Sequence, residues 1–136
     1  MPRVTPLAIS LSPGDTRPIG RQLADRIRLA ITTGELPVGA RLPSVRALAA
    51  QLLVNSNTVA KVYLELSSEG WLHGHHGQGV FVAGEQGRLS EAEMTRRLGA
   101  AVDVFVAEVI AIHAALPAAR AHVNAALDDL IARKVA

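Results

Sequence analysis

Apolar residues recur along the chain in two periods, and the switches between them outline a fold. From Ile19, residues Leu23, Ile27 and Ile31 follow at four-residue steps, flanked by Ala24 and Ala30, as on an amphipathic helix. Pro18 suits the first turn of that helix and Gly34 ends it. Before it, Pro2, Pro6, Pro13 and Gly14 make residues 1–17 a ragged arm, in which Leu7, Ile9 and Leu11 alternate like a short edge strand. A turn-rich connector from Gly34 to Gly39 leads to Arg41-Leu42-Pro43. Ser44 stands where an N-cap is wanted, and Val45, Leu48, Ala49 and Leu52 give a short second helix. A third begins around Asn55 to Asn57, with Val59, Val62, Tyr63 and Leu66 as its apolar stripe, and stops before Gly70. Two helices joined so tightly predict a helix-turn-helix.

The period then shortens. Trp71-Leu72-His73 and Val80-Phe81-Val82 are β-prone runs around the glycine-rich Gly74-His-His-Gly-Gln-Gly79, which predicts a hairpin, or wing. Ala83 to Gly87 is a loose linker. Ser90 caps a long helix, with Glu93 completing a capping box. Leu98, Val102, Phe105, Val109, Ile112 and Leu116 follow at alternating spacings of four and three, a heptad-type seam. Such a helix of about 27 residues spans about 40 Å, more than a small winged domain buries, and Val104, Val106 and Ile110 put apolar surface on a second face. Pro117 starts a last helix bearing Val123, Leu127, Leu130 and Ile131. The predicted fold is mainly α with a small β-wing. It comprises a winged helix-turn-helix over residues 1–84 and a two-helix dimerisation region over 85–136, the pair antiparallel and the seam forming the dimer interface.

Composition narrows the function. Apolar residues make up 49% but aromatics 3%, so the core is built from Leu, Val, Ile and Ala. The absence of cysteine excludes disulfides, thiolate metal sites and cysteine nucleophiles. No stretch of about 18 uninterrupted apolar residues occurs, and the N-terminus lacks a signal-peptide pattern, so a cytoplasmic protein without a membrane partner is expected. The net charge is only +2, but residues 1–84 carry eight Lys/Arg against five Asp/Glu, and residues 85–136 six against seven. A phosphate-binding surface therefore belongs in the first part.

Three ordered motifs sharpen this: Gly34-Glu-Leu-Pro-Val-Gly-Ala-Arg-Leu-Pro-Ser-Val-Arg-Ala-Leu-Ala49, Val54-Asn-Ser-Asn-Thr-Val59, and Glu69-Gly70 through Gly77-Gln-Gly-Val-Phe-Val82. Over roughly residues 18–82 the chain resembles the GntR family of bacterial regulators. The run Asn55-x-Asn57-Thr58-Val59-x-Lys61-x-Tyr63 and the short helical C-terminal region are similar to its YtrA-like subgroup. The resemblance implies a homodimeric transcription regulator, usually a repressor, often of transporter operons. It departs where many relatives carry arginines and this chain has Ser56 and Ala60, which throws more of the contact onto Asn55, Asn57 and Lys61.

In a helix-turn-helix the N-terminal end of the second helix meets base edges. Asn55, Ser56, Asn57 and Thr58 occupy that end, and asparagine pairs bidentately with adenine; helix capping is the competing role for Asn55 and Ser56. Arg46, by resemblance, binds phosphate or reaches a base, beside Arg41 and Ser44 at the same junction; a solvated arginine and a plain cap are the alternatives. The wing tip, His75, His76, Gly77 and Gln78, is expected along the minor groove or the sugar-phosphate edge, or as an ordinary turn. His73, His75, His76, His113 and His122 raise a metal-responsive regulator, but no paired carboxylate or cysteine accompanies them, so no metal site is assigned. No nucleophile elbow, phosphate loop or zinc-protease motif points to an enzyme, and no cofactor is expected. The expected partners are double-stranded operator DNA and a second copy of the chain. A small-molecule effector is left open, its place near Phe105, Val109 and Ile112. A protein-interaction module that binds no DNA is the rival from another class.

Overall fold

The computed structural model describes residues 3–7, 9, 11, 14–75, 77–84 and 89–135, without the side chains of His75 and Val135. Wing residue His76 and most of the expected linker, residues 85–87, lie outside the described residues. The chain divides into two units, Met1–Gly87 and Arg88–Ala136.

In the first unit, helix α1 (Ile19–Thr32) turns Leu23, Ala24, Ile27 and Ala30 inward. No side chain caps its start at Pro18; instead the buried Gln22 amide donates to the Arg17 carbonyl at 2.9 Å. Its end closes at Gly34 with φ 82°, which glycine adopts without a steric penalty. Helix α2 (Val45–Leu52) begins under the Ser44 hydroxyl oxygen, which accepts from Ala47 N–H at 3.1 Å. It ends on Leu53, left-handed at φ 56° and 91% exposed. Helix α3 (Ser56–Ser68) packs on both α1 and α2 through Val59, Val62, Tyr63 and Leu66. Leu7, Leu23, Ile27, Leu36, Leu42, Leu48, Val59, Leu66, Leu72 and Val82 form the fully buried centre. Each contributes about 1.5–3 kcal/mol by leaving water.

Strands β1 (Leu72–His75) and β2 (Gly79–Val82) pair antiparallel, Leu72 opposite Val82 and His75 opposite Gly79. Residues 39–42 run beside β2: Leu42 N–H donates to Val80 O and Val82 N–H to Ala40 O, both at 2.9 Å. The arm adds a further bridge, but at Val4, whose partner is Arg41, with Thr5 N–H on Arg41 O at 2.7 Å. Among the described residues Leu7, Ile9 and Leu11 join no strand, which corrects the edge strand expected of them. Pro6 has no N–H with which to continue a ladder, so Leu7 drops into the core and Gln51 Nε2 holds its carbonyl at 2.9 Å.

The second unit holds α4 (Glu91–Ala111) and α5 (Leu116–Val135). Three expectations change here. The long helix is 21 residues rather than about 27, because the chain breaks at Ile112 and His113, the latter left-handed at φ 56°. Ile112 therefore caps α4, and Leu116 opens α5, outside the continuous seam expected of them. Secondly, α4 and α5 do not pack along one another as an antiparallel pair within one chain. Among the α4 side chains only Val109 is buried. The capping box is half formed: Ser90 Oγ accepts from Glu93 N–H at 3.2 Å, but the Glu93 carboxylate turns forward to Arg96 at 2.6 and 2.9 Å. That hydrogen-bonded guanidinium holds Glu93 below the usual carboxylate range. Among the described residues no helix is long and apolar enough to cross a membrane.

Candidate nucleic-acid interface

The elements above bring two helix N-termini and the wing into one unit. At the first helix start, the Ser44 cap uses an oxygen lone pair, which leaves the hydroxyl hydrogen for an acceptor such as a phosphate. Arg46, two residues on, is exposed. At the second, Asn55 Oδ1 accepts from Asn57 N–H at 2.8 Å, so Asn55 caps α3 while its amide NH2 stays available to donate. Ser56 is the first helical residue, and Ser56, Asn57 and Lys61 are exposed. Thr58 differs from its neighbours: it is half-buried, and its methyl group lies 3.7 Å from where a Cβ on Gly20 of α1 would stand. Arg41, Arg46 and Lys61 take no part in the ion pairs among the described residues.

Arg41 is half-buried between the arm and β2, and its guanidinium covers Gly79. A Cβ at position 79 would stand 2.9 Å from Arg41 Nε, and the backbone there has φ 115°, so glycine answers both constraints. On the same pleat His73 stacks on Phe81, with ring centroids 5.8 Å apart. Gly77 and Gln78 are exposed at the tip. No group of three His, Cys, Asp or Glu side chains converges among the described residues, so the metal-responsive alternative gains no support there.

In the sequence Tyr63 stands in the apolar stripe of α3 and in the run that resembles the YtrA-like subgroup, and neither points to a partner for its hydroxyl. Its buried hydroxyl donates to the Pro43 carbonyl at 2.7 Å, tying the middle of α3 to the backbone that leads into Ser44 and Arg46. Burial pushes the phenol well above its ordinary value. The raised native value means that this stabilisation is full below the unfolded phenol's pKa near 10. It is lost as pH rises past that value toward the native one. Tyr63→Phe is expected to cost about 1–3 kcal/mol at pH 7 by leaving the carbonyl unpaired. It should also blunt the alkaline loss of stability between about pH 10 and 12, which denaturant titrations across that range would reveal.

Residues 19–82 match the family described as bacterial regulatory proteins, gntR family. The chain is 34% identical over 88 residues to the HTH-type transcriptional repressor YtrA of Bacillus subtilis, an alignment covering 64% of this chain and 68% of that one. The chain belongs to the gntR family. Within it the likeness is YtrA-like: the structure of YtrA from Sulfolobus acidocaldarius, a GntR-family transcription factor, is 32% identical, with a TM-score of 0.56 over 70% of this chain and 97% of that one. The HTH-type transcriptional regulator YhcF of Bacillus subtilis is 41% identical over 68 residues, 50% of this chain. The alignment spans only 56% of YhcF. These gntR-family relatives carry the names of regulators rather than of enzymes.

Proposed function

We propose that this gntR-family chain is a cytoplasmic, sequence-specific DNA-binding repressor that grips a two-half-site operator as a homodimer. The observation that carries the reading is the start of α3. An asparagine cap, two further polar side chains and Lys61 stand exposed together, with Arg46 and Ser44 at the neighbouring helix start. Ser44, Arg46 and Arg41 would hold phosphates, and Asn57, helped by Asn55 and Ser56, would read base edges. Gly77 and Gln78 of the wing would follow the adjacent backbone. Thr58 would serve α1–α3 packing more than contact.

Homodimerisation is supported by the apolar surface that one chain leaves open on its second unit. Leu98 is 68% exposed, Val102 56% and Phe105 40%, with Ile112 and Leu116 also open. A second copy is the partner whose faces match these, and two half-sites need two winged domains. Repression is supported by the name of the YtrA relative.

Asn57→Ala is expected to weaken operator binding by about 1–3 kcal/mol while leaving binding to random DNA nearly unchanged. Arg46→Ala should weaken both and flatten the salt dependence by about one counterion per subunit. Fluorescence anisotropy on both duplexes across a salt series measures each effect. Equal losses for Asn57→Ala on the two duplexes would reduce that residue to a phosphate or packing role. Wild-type binding to neither would leave the protein-interaction reading.

A further inference from the structure

Leu64 lies on α3 with 72% of its surface exposed, although the same helix buries Val59, Val62, Tyr63 and Leu66. Asn57, Ala60 and Lys61 precede it by seven, four and three residues, which puts all four on one helical face, and all four are exposed. No acidic residue occurs from Ser56 to Leu64. The first carboxylates, Glu65 and Glu69, turn aside to Arg28 of α1, Glu69 at 2.8 Å and Glu65 at 3.9 Å. The outward face thus runs from an amide through a cation to an apolar end, with its negative charge drawn off to the flank.

This face fits the major groove of duplex DNA, where the one apolar group that base edges present is the thymine 5-methyl. We propose that Leu64, together with Ala60, is a specificity-determining contact for thymine methyl groups. The inference rests on the DNA-binding reading above and deepens it: the preferred half-site carries A·T pairs along this face. Seven residues of helix advance about 10 Å, so the thymine at Leu64 falls about three base pairs from the base that Asn57 meets. A protein partner is the poorer occupant, because a stable interface needs about 800 Å² per side and this apolar end is two side chains wide.

The test uses the full chain. Duplexes are first selected from a random library, and each thymine of the enriched half-site is then replaced by uracil, which deletes the methyl and keeps every hydrogen-bonding group. One or two replacements should each weaken binding about fourfold, the worth of one buried carbon. Leu64→Ala should weaken binding to the thymine duplex and lose its sensitivity at one of those positions, with an unchanged melting temperature because the side chain is exposed. A selected duplex indifferent to uracil throughout, or a Leu64→Ala protein that keeps every uracil effect, overturns the thymine contact alone. A library that yields no enriched sequence overturns the sequence-specific reading and this inference with it.

Discussion

Val102→Asp is expected to sediment as a monomer with an intact winged domain. Val102 is 56% exposed in the single chain, so a carboxylate there stays hydrated and costs the subunit little. In a seam between two copies the same carboxylate would be desolvated without a partner, a cost of several kcal/mol. Affinity for a two-half-site operator should then fall about 10²- to 10⁴-fold, because the second half-site is no longer held at a high effective concentration. Binding to an isolated half-site should barely change. Analytical ultracentrifugation and anisotropy on the two duplexes read out both effects. The structure makes Val102 a cleaner choice than Val109, which is 8% exposed within one chain, so that a charge there confounds folding with assembly. A dimeric Val102→Asp protein would move the interface off this row of α4.

Leu42→Ala is expected to cost about 2–5 kcal/mol, the range for truncating a core leucine. Leu42 is 1% exposed, and its backbone N–H is bonded to Val80 of the wing. In a domain of under a hundred residues each kcal/mol moves the melting temperature by about 4–8 °C, so a fall of about 8–40 °C should appear in calorimetry. Leu42 also sits between Arg41, which covers Gly79, and Pro43, whose carbonyl receives Tyr63. The cavity should therefore loosen wing, α2 and α3 relative to one another and weaken operator binding even where the protein remains folded. A fall of under 1 kcal/mol would mean that the surrounding core collapses onto the vacancy.

The winged helix-turn-helix was open to reading because its signals are local. The four-residue apolar steps of α1, the Ser44 and Asn55 caps, and the glycines around the wing each act within a few residues. The break after α4 was also written locally, in Pro117 just beyond it, but the apolar spacing ran through the corner and hid it. Periodicity counts positions and does not register that His113 turns left-handed.

By itself the sequence determined the order of the elements, the Ser44 cap and the polar head of α3, because hydrogen bonds over two or three residues decide these; that Asn55 rather than Ser56 caps α3 came from the structure. Only the tertiary structure decided which side chains of the candidate interface are free and which are spent. Thr58 lies against α1, Arg41 is folded over Gly79, and Tyr63 is bound to Pro43, twenty residues away. It also decided that the arm pairs at Val4 instead of Leu7, and that Glu65 and Glu69 turn away from the outer face of α3 while Leu64 remains on it. Each of these depends on what stands opposite in space. That is set by the packing of α1 and the 39–42 segment against α3 and the wing, and no spacing along the chain encodes it.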